Sequence, residues 1–389
     1  MHYVTAGEAH APSFIAVVDG VPAGLRITAE SIDADLDRRI QGLCSGASSA
    51  HSDRVEILSG VRFGRTVGTP VALRVENPDW RAWRTSMAVF GEAPADATRR
   101  SIPCPGRADL AGSLKYDLDD CRDVEERAGA RETVARVAAS GIAREFLADV
   151  GVGVFSYVTR IGDAAISEVD PMVDAAEYKP LDIETSEVRC PCAKTTRLMK
   201  RAVDDARAKG DTLGGSFRVV VTGLLPGMGG YAQGSDRLAS KLAAALFAIP
   251  AVRSVEVGLG ADFARMCGSE TFDAVKHTRK QGFTRQSNRA GGLEGGLTTG
   301  MPLIITVAVH APLPAQNAAS SIDMETFAAV SPQIHAGDVC LAPSAAVVAE
   351  GEVAFVLAEA YLRKFGCDTM TDIKASMKAY RQRLRTASR

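Results

Sequence analysis

Two long helical stretches, one in each half of the chain, limit what this sequence can fold into. The first, "DVEERAGARETVARVAASGIAREFLADVG" (123–151), puts Val134, Val137 and Ala138 on one face, with Gly151 placed to stop it. The second, "SAAVVAEGEVAFVLAEAYLRKFG" (344–366), is long and apolar. Strand patterns precede both. A strand region over Thr5–Asp19 runs through "IAVVDG" into the turn Gly20–Gly24, and "SDRVEILSGVRFGRTVGTPVALRVEN" (52–77) alternates around Gly60, Gly64 and Gly68 as a hairpin does. In the second half "SFRVVVTGLLPGMG", "VRSVEVGLG" and "MPLIITVAVHAPL" read as strands, and "SDRLASKLAAALFAI" as an amphipathic helix. Between the first strands, "TAESIDADLDRRIQG" reads as a helix capped by Thr28, with Ile32, Leu36 and Ile40 on one face. Strands and at least one long helix in each half predict a layered α+β fold with internal duplication.

The remaining stretches read as connections. Residues 78–106, with Trp80 and Trp83, are expected to form a long loop, and the glycine-rich tract "NRAGGLEGGLTTG" (288–300) a flexible one in which backbone can approach a ligand closely. A single domain is expected over 1–375, followed by a basic, flexible tail over 376–389. A formal net charge of −2 gives no positive field that would favour nucleic acid. No basic segment leads into a long apolar run and no stretch has the apolar length of a membrane span, so a cytoplasmic protein is expected. The eight cysteines are scattered. Only Cys190-Pro191-Cys192 is close-set, and without a second pair or nearby histidines it reads as reduced thiols rather than a metal site.

Several chemistries lack their motif: there is no strand–GxGxxG–helix unit, no GxxxxGK[ST], no GxSxG and no HExxH. Two features carry charge chemistry instead. Arg127 and Arg131, four apart at a helix start, would share a face near the positive end of the dipole, where an anion such as phosphate is favoured. The competing reading is a solvated ladder with Glu125, Glu126 and Glu132. His10, in the polar knot "TAGEAHAPSF", is either a catalytic acid or a turn residue ahead of a strand.

Ordered segments run along the chain: "TAGEAH", "DRVEILSGVRFGRTVGTPVALRVEN", "PGRADLAGSLKY", "RAGARET", "KGDTLGG", "VEVGLG", "NRAGGLEGGLTTGMPL" and "GDVCLAPSAAVV" leading to "LRKFG". In order and spacing they resemble the chorismate synthase family from about residue 4 to about residue 375. The resemblance implies a β-α-β sandwich with internal pseudo-symmetry, a homotetramer, a small-molecule substrate and a flavin site in each subunit. It implies a lyase of the shikimate pathway: anti-1,4-elimination of phosphate from 5-enolpyruvylshikimate 3-phosphate to chorismate, with reduced FMN and no net redox change. By this resemblance His10 stands beside the leaving phosphate and Asp338 serves a proton relay at the flavin. Arg107 takes the place of a second histidine near the flavin pyrimidine edge. Arginine does not titrate in the useful range, so Arg107 keeps the charge role without the proton role. Arg39 and Arg131 are the implied substrate-binding residues. Arg127, Ala128, Gly129, Ala130, Ala251, Gly295 and His310 are the implied flavin contacts, and no metal is implied.

The sequence departs from the family pattern at Ser45, Ser48, Arg107, His310 and Ala336, where other residues are usual, and Pro250 precedes Ala251 in place of a Gln or Asn. Of the arginines associated with nicotinamide binding only Arg39 is kept, so flavin reduced elsewhere is expected, NADPH entering only indirectly. An alternative reading of these departures is a paralogue that has lost catalysis and acts as a binding or assembly partner. A third is an altered elimination on a related phosphorylated cyclohexene.

Overall fold

The computed structural model describes residues 1–41, 44, 52–92, 94, 99–166, 178–279, 282–316, 318–332 and 337–387. Ser45, Ser48 and Ala336 lie outside the described residues. An N-terminal antiparallel sheet holds β1 (His2–Ala6), β2 (Ser13–Asp19), β3 (Val55–Ile57) and β4 (Val71–Glu76) in the order β1-β2-β4-β3. A C-terminal antiparallel sheet holds β5 (Gly153–Ile161), β6 (Ala164–Ala165), β7 (Gly215–Thr222), β8 (Val252–Val257) and β9 (Leu303–Val309) in the order β8-β9-β7-β5-β6. The helices are α1 (Ala29–Ile40), α2 (Arg122–Ala128), α3 (Thr133–Asp149), α4 (Ala193–Ala208), α5 (Leu238–Phe247), α6 (Ala342–Phe365) and α7 (Met370–Ala387).

The layering follows from burial. Period-two alternation turns Phe14, Ala16 and Val18 of β2 and Val71, Leu73 and Val75 of β4 inward. Phe217, Val219 and Val221 do the same from β7, while Val220 joins Tyr157 and Ile183 in a small cluster separate from the main core. Helix α3 packs on β2, β4, α1 and α6, and α6 packs on α3, β5 and β7. Helices α3 and α6 are therefore covered on nearly all sides, as a central layer must be. The result is the expected α+β sandwich, sheet on helices on sheet. Gly141 lets α3 approach α1 closely, because a Cβ there would stand 2.7 Å from Cγ1 of Ile32.

Charge inside the helical layer is matched. Glu350 of α6 is fully buried and accepts from Arg38 (2.8 Å), Arg189 (3.3 Å), Arg144 and the Ser156 hydroxyl (2.6 Å). Its neighbour on the same helix, Glu352, accepts from the Tyr3 hydroxyl at 2.6 Å and pairs with Arg136 at 3.3 Å.

Five local expectations change. Thr5–Asp19 is two paired strands with His10 in the connection between them. The helix read over 123–151 is broken: α2 ends at Ala128, Gly129 is extended (φ −76°, ψ 163°), and a short turn over Ala130–Glu132 leads into α3. The glycine-rich tract contains a tight hairpin, Leu293–Glu294 against Leu297–Thr298, which Gly295 and Gly296 make possible at φ 58° and 94°. The tail expected to be flexible is helical through residue 387. Helix α7 buries Ile373 and Met377 and sets Tyr380 edge-on to Phe365, apolar anchors spaced for one helix face. Within the long 78–106 connection, Trp80–Trp83 forms one helical turn.

Candidate active site

His10 is held by an unusually complete set of contacts for a loop residue. The β1–β2 connection folds back on itself as the Ala11 amide donates to Glu8 at 3.1 Å. Asn77, buried just past the end of β4, donates its side-chain amide to the carbonyls of Ala9 (2.8 Å) and Ala11 (2.9 Å). The Ala9 amide donates to the Glu126 carbonyl at 2.8 Å. The Glu126 carboxylate then takes both the His10 amide (2.8 Å, Oε2) and ring Nδ1 (2.7 Å, Oε1). Trp83 stacks on the imidazole with centroids 3.9 Å apart, and Arg122 lies over the same indole at 5.4 Å. Burial pushes the Glu126 carboxyl up, but the His10 ring, the His10 amide and the nearby charges outweigh it and hold Glu126 below the usual carboxylate range.

A second set of contacts holds two arginines. Asp53, fully buried at its side chain, accepts from Arg131 at 2.7 and 2.8 Å and from Arg39 at 3.0 Å. Burial pushes the Arg39 guanidinium down and Arg131 beside it pushes the same way, while Asp53 and Asp338 oppose them. Arg39 is 8% exposed, and its Nε has no hydrogen-bond partner among the described residues.

These two sets meet. His10, Arg39, Arg131 and Asp338 line one cleft of about 280 Å³ with Ala9, Ala130, Thr133 and Asp79, and Ile40, Ile249, Pro250, Leu341 and Val348 form its apolar wall. Asp338 is half-buried, just ahead of Val339, whose amide donates to the Cys44 carbonyl at 2.9 Å. The cleft combines two fixed cations, one imidazole, two carboxylates and an apolar wall. That composition suits a small polyanion with an apolar body, because guanidinium pairs bind phosphate or carboxylate through charge-assisted hydrogen bonds.

Other expected site residues lie elsewhere. Arg127 and Arg131 do not share a face: the break at Gly129 sends Arg127 to the Gly7 carbonyl (2.8 Å) and to the Thr5 hydroxyl and carbonyl (2.7 and 3.2 Å). Arg127 thereby braces the β1–β2 connection instead of facing an anion. Arg107 is paired with Glu125 at 2.6 Å and is not among the cleft-lining residues. Ala128 and Gly129 immediately precede the cleft residue Ala130, and Ala251 follows Pro250 with a left-handed φ of 73°. Its carbonyl accepts from the His310 amide at 3.0 Å, while His310 Nδ1 contacts the Ala311 carbonyl at 2.6 Å. Gly295 borders a separate cleft of about 690 Å³ lined by Phe263, Phe272 and Val275. Cys190 is buried, its thiol donating to the Cys192 carbonyl at 3.7 Å. Among the described residues no group of three or more His, Cys, Asp or Glu side chains is placed to hold a metal ion.

Sequence reasoning missed the roles of Glu126, Asp53, Asn77 and Trp83. Glu126 reads as one rung of a surface ladder, and the only available signal was that a helical carboxylate buried by its neighbours needs a partner.

Comparison with known proteins is consistent over almost the whole length. The chorismate synthase family model matches residues 1–362. The chorismate synthase of Chlorobaculum tepidum is 42% identical, covering 99% of this chain and 98% of its own. That of Rubrobacter xylanophilus is 44% identical, covering 98% and 97%. A solved chorismate synthase crystal structure superposes with a TM-score of 0.81 at 33% identity, covering 99% of this chain and 98% of the other. Matches of this extent, in sequence and in fold alike, mean that the chain belongs to the chorismate synthase family.

Proposed function

We propose that this protein catalyses the anti-1,4-elimination of phosphate from 5-enolpyruvylshikimate 3-phosphate to give chorismate, using reduced FMN. The observation that carries the reading is the buried Arg39 Nε, which has no hydrogen-bond partner among the described residues, in a cleft shared with Arg131 and His10. A buried, unpaired guanidinium donor is costly unless a ligand completes it, and an anion does so best.

The residues present also fit a flavin carrying negative charge. The wall of Ile40, Ile249, Pro250, Leu341 and Val348 offers an apolar face, and Ala128, Gly129, Ala130 and Ala251 provide backbone groups at or beside the cleft. When bound, reduced FMN supplies electron density to the reacting allylic system with no net redox change. The chain's own residues supply the rest. Arg39 and Arg131, fixed by Asp53, bind and orient the substrate's anionic groups. His10 as imidazolium neutralises charge on the departing phosphate and can give it a proton. Asp338, on the same cleft, would serve the proton relay at the flavin. Arg107 is paired with Glu125 and does not line this cleft, so no charge role at the flavin is assigned to it within the subunit. Gly295 borders a separate cleft and His310 is not among the residues lining this one, so the flavin contacts proposed here are those at 128–130 and 251. The protein is read as a cytoplasmic homotetramer; no described helix is long and apolar enough to cross a membrane.

Under anaerobic conditions with photoreduced FMN, the purified protein should release chorismate and inorganic phosphate in equal amounts. Absence of turnover while flavin is demonstrably bound refutes the proposal. FMN should bind more tightly with substrate present, and NADPH should not be consumed by the isolated protein.

A further inference from the structure

We infer that Glu126 is the positioning residue of the cleft: by taking both donors of His10 it decides which ring nitrogen meets the leaving group. This rests on the role proposed above for His10. The two oxygens of Glu126 accept from two atoms of one residue, the amide (2.8 Å) and Nδ1 (2.7 Å). The amide is always a donor, so one oxygen is committed to it. The other oxygen belongs to the same ionised carboxylate and requires a proton on Nδ1. Nδ1 is thereby occupied, and Nε2 is the nitrogen left to gain or lose a proton in the cleft. Trp83 backs the ring face at 3.9 Å.

The charges around the ring make this counterion matter. Arg39 and Arg131 share the cleft with His10, and Arg122 lies over Trp83 behind it; all three disfavour a second positive charge. Asp79 and Asp338 line the same cleft, and Glu126 is the carboxylate that touches the ring itself. Glu126 is therefore the counterion in direct contact with the ring before the substrate arrives, with Asp79 and Asp338 elsewhere in the same cleft.

The test is Glu126→Gln. A glutamine has one carbonyl and one amide, so it cannot accept from both His10 donors. With its carbonyl on the His10 amide, its NH2 faces Nδ1 and the ring proton must move to Nε2. Histidine labelled with nitrogen-15 reads this directly: Nδ1 protonated in the wild type, Nε2 protonated in the neutral ring of the variant. In anaerobic assays with reduced FMN, kcat should fall about 10- to 100-fold with KM changed less than about threefold. Glu126→Asp, which keeps the charge, should retain Nδ1–H and recover much of kcat, and it serves if Glu126→Gln does not fold. In a His10→Ala background Glu126→Gln should cost nothing further. An unchanged ring tautomer, or an equal loss in that background, overturns the inference. Wild-type turnover by His10→Ala overturns the role given to His10 instead, and the labelled spectra still judge Glu126 separately.

Discussion

Asp53 is the residue whose loss the cleft should feel most. Its side chain is fully buried and is shared by Arg131, through two hydrogen bonds of 2.7 and 2.8 Å, and Arg39, through one of 3.0 Å. Asp53→Asn keeps the shape and removes the charge, leaving two guanidinium groups facing each other. Removing one partner from a buried ion pair costs about 3–5 kcal/mol, chiefly because the remaining charge stays desolvated. At about 2.1 cal/mol/K per residue, the 389-residue chain has an unfolding entropy near 0.8 kcal/mol/K, so the melting temperature should fall by about 4–6 °C. The same argument sets the sign of a second effect. Two uncompensated cations should welcome an added anion, so inorganic phosphate should raise the melting temperature of Asp53→Asn more than that of the wild type. Thermal unfolding with and without phosphate measures both. A melting temperature within 1 °C of wild type, or equal responses to phosphate, would show that Asp53 does not hold the two arginines in the way described.

Glu350 gives an acid prediction. Burial pushes its carboxyl up, but Arg38, Arg144 and Arg189 overcome this and hold it at about 2, against an ordinary 4.5. A depressed carboxyl stabilises the fold fully above 4.5, and that stability is lost as pH falls through the window from 4.5 to about 2. The loss is about 3 kcal/mol. Glu352 is raised by burial and acts with the opposite sign, in the separate window above 4.5. Glu350→Gln should be less stable at neutral pH and show a flatter stability curve between pH 5 and 2.5 in urea unfolding; parallel curves refute this. Asn77→Ala should loosen the His10 loop without unfolding the sandwich. One buried and one partly buried carbonyl lose their donor at a cost of about 1–3 kcal/mol, so amide exchange in residues 8–13 should quicken roughly 5- to 150-fold. Exchange in β7 and β9 should stay unchanged, and uniform quickening across the protein would count against a local role.

The sandwich was legible wherever a short-range period decides structure. Thr28 caps α1 as its position predicts, accepting from the Ser31 amide at 3.2 Å, and α6 begins and ends close to its apolar limits. The break in the 123–151 helix was not legible, because helical spacing runs on through Gly129 while its extended ψ is held by contacts on either side. Arg127 is drawn to the β1–β2 connection 120 residues earlier and Arg131 to Asp53, 78 residues earlier. The site divides in the same way. His10, Arg39, Arg131 and Asp338 carry recognisable motifs, and the fold brings these four to one cleft. The groups that fix them carry no motif: Glu126 lies 116 residues from His10, and a carboxylate in a charged helix looks the same whether it meets water or an imidazole.

The cluster around Glu350 bears on how the chain assembles. Its arginines come from α1, from α3 and from the segment before α4, and the acceptor arrives last, 312 residues after Arg38. Until α6 docks, three cations in the middle layer lack their shared partner, and docking one residue out of place leaves charge stranded in the dry interior. Closing so long a loop is slow, and burying unmatched charge is costly. The cluster thus works as a check on alignment: it rewards only the arrangement in which both halves of the chain are already correctly placed, and it makes α6 the helix that commits the fold.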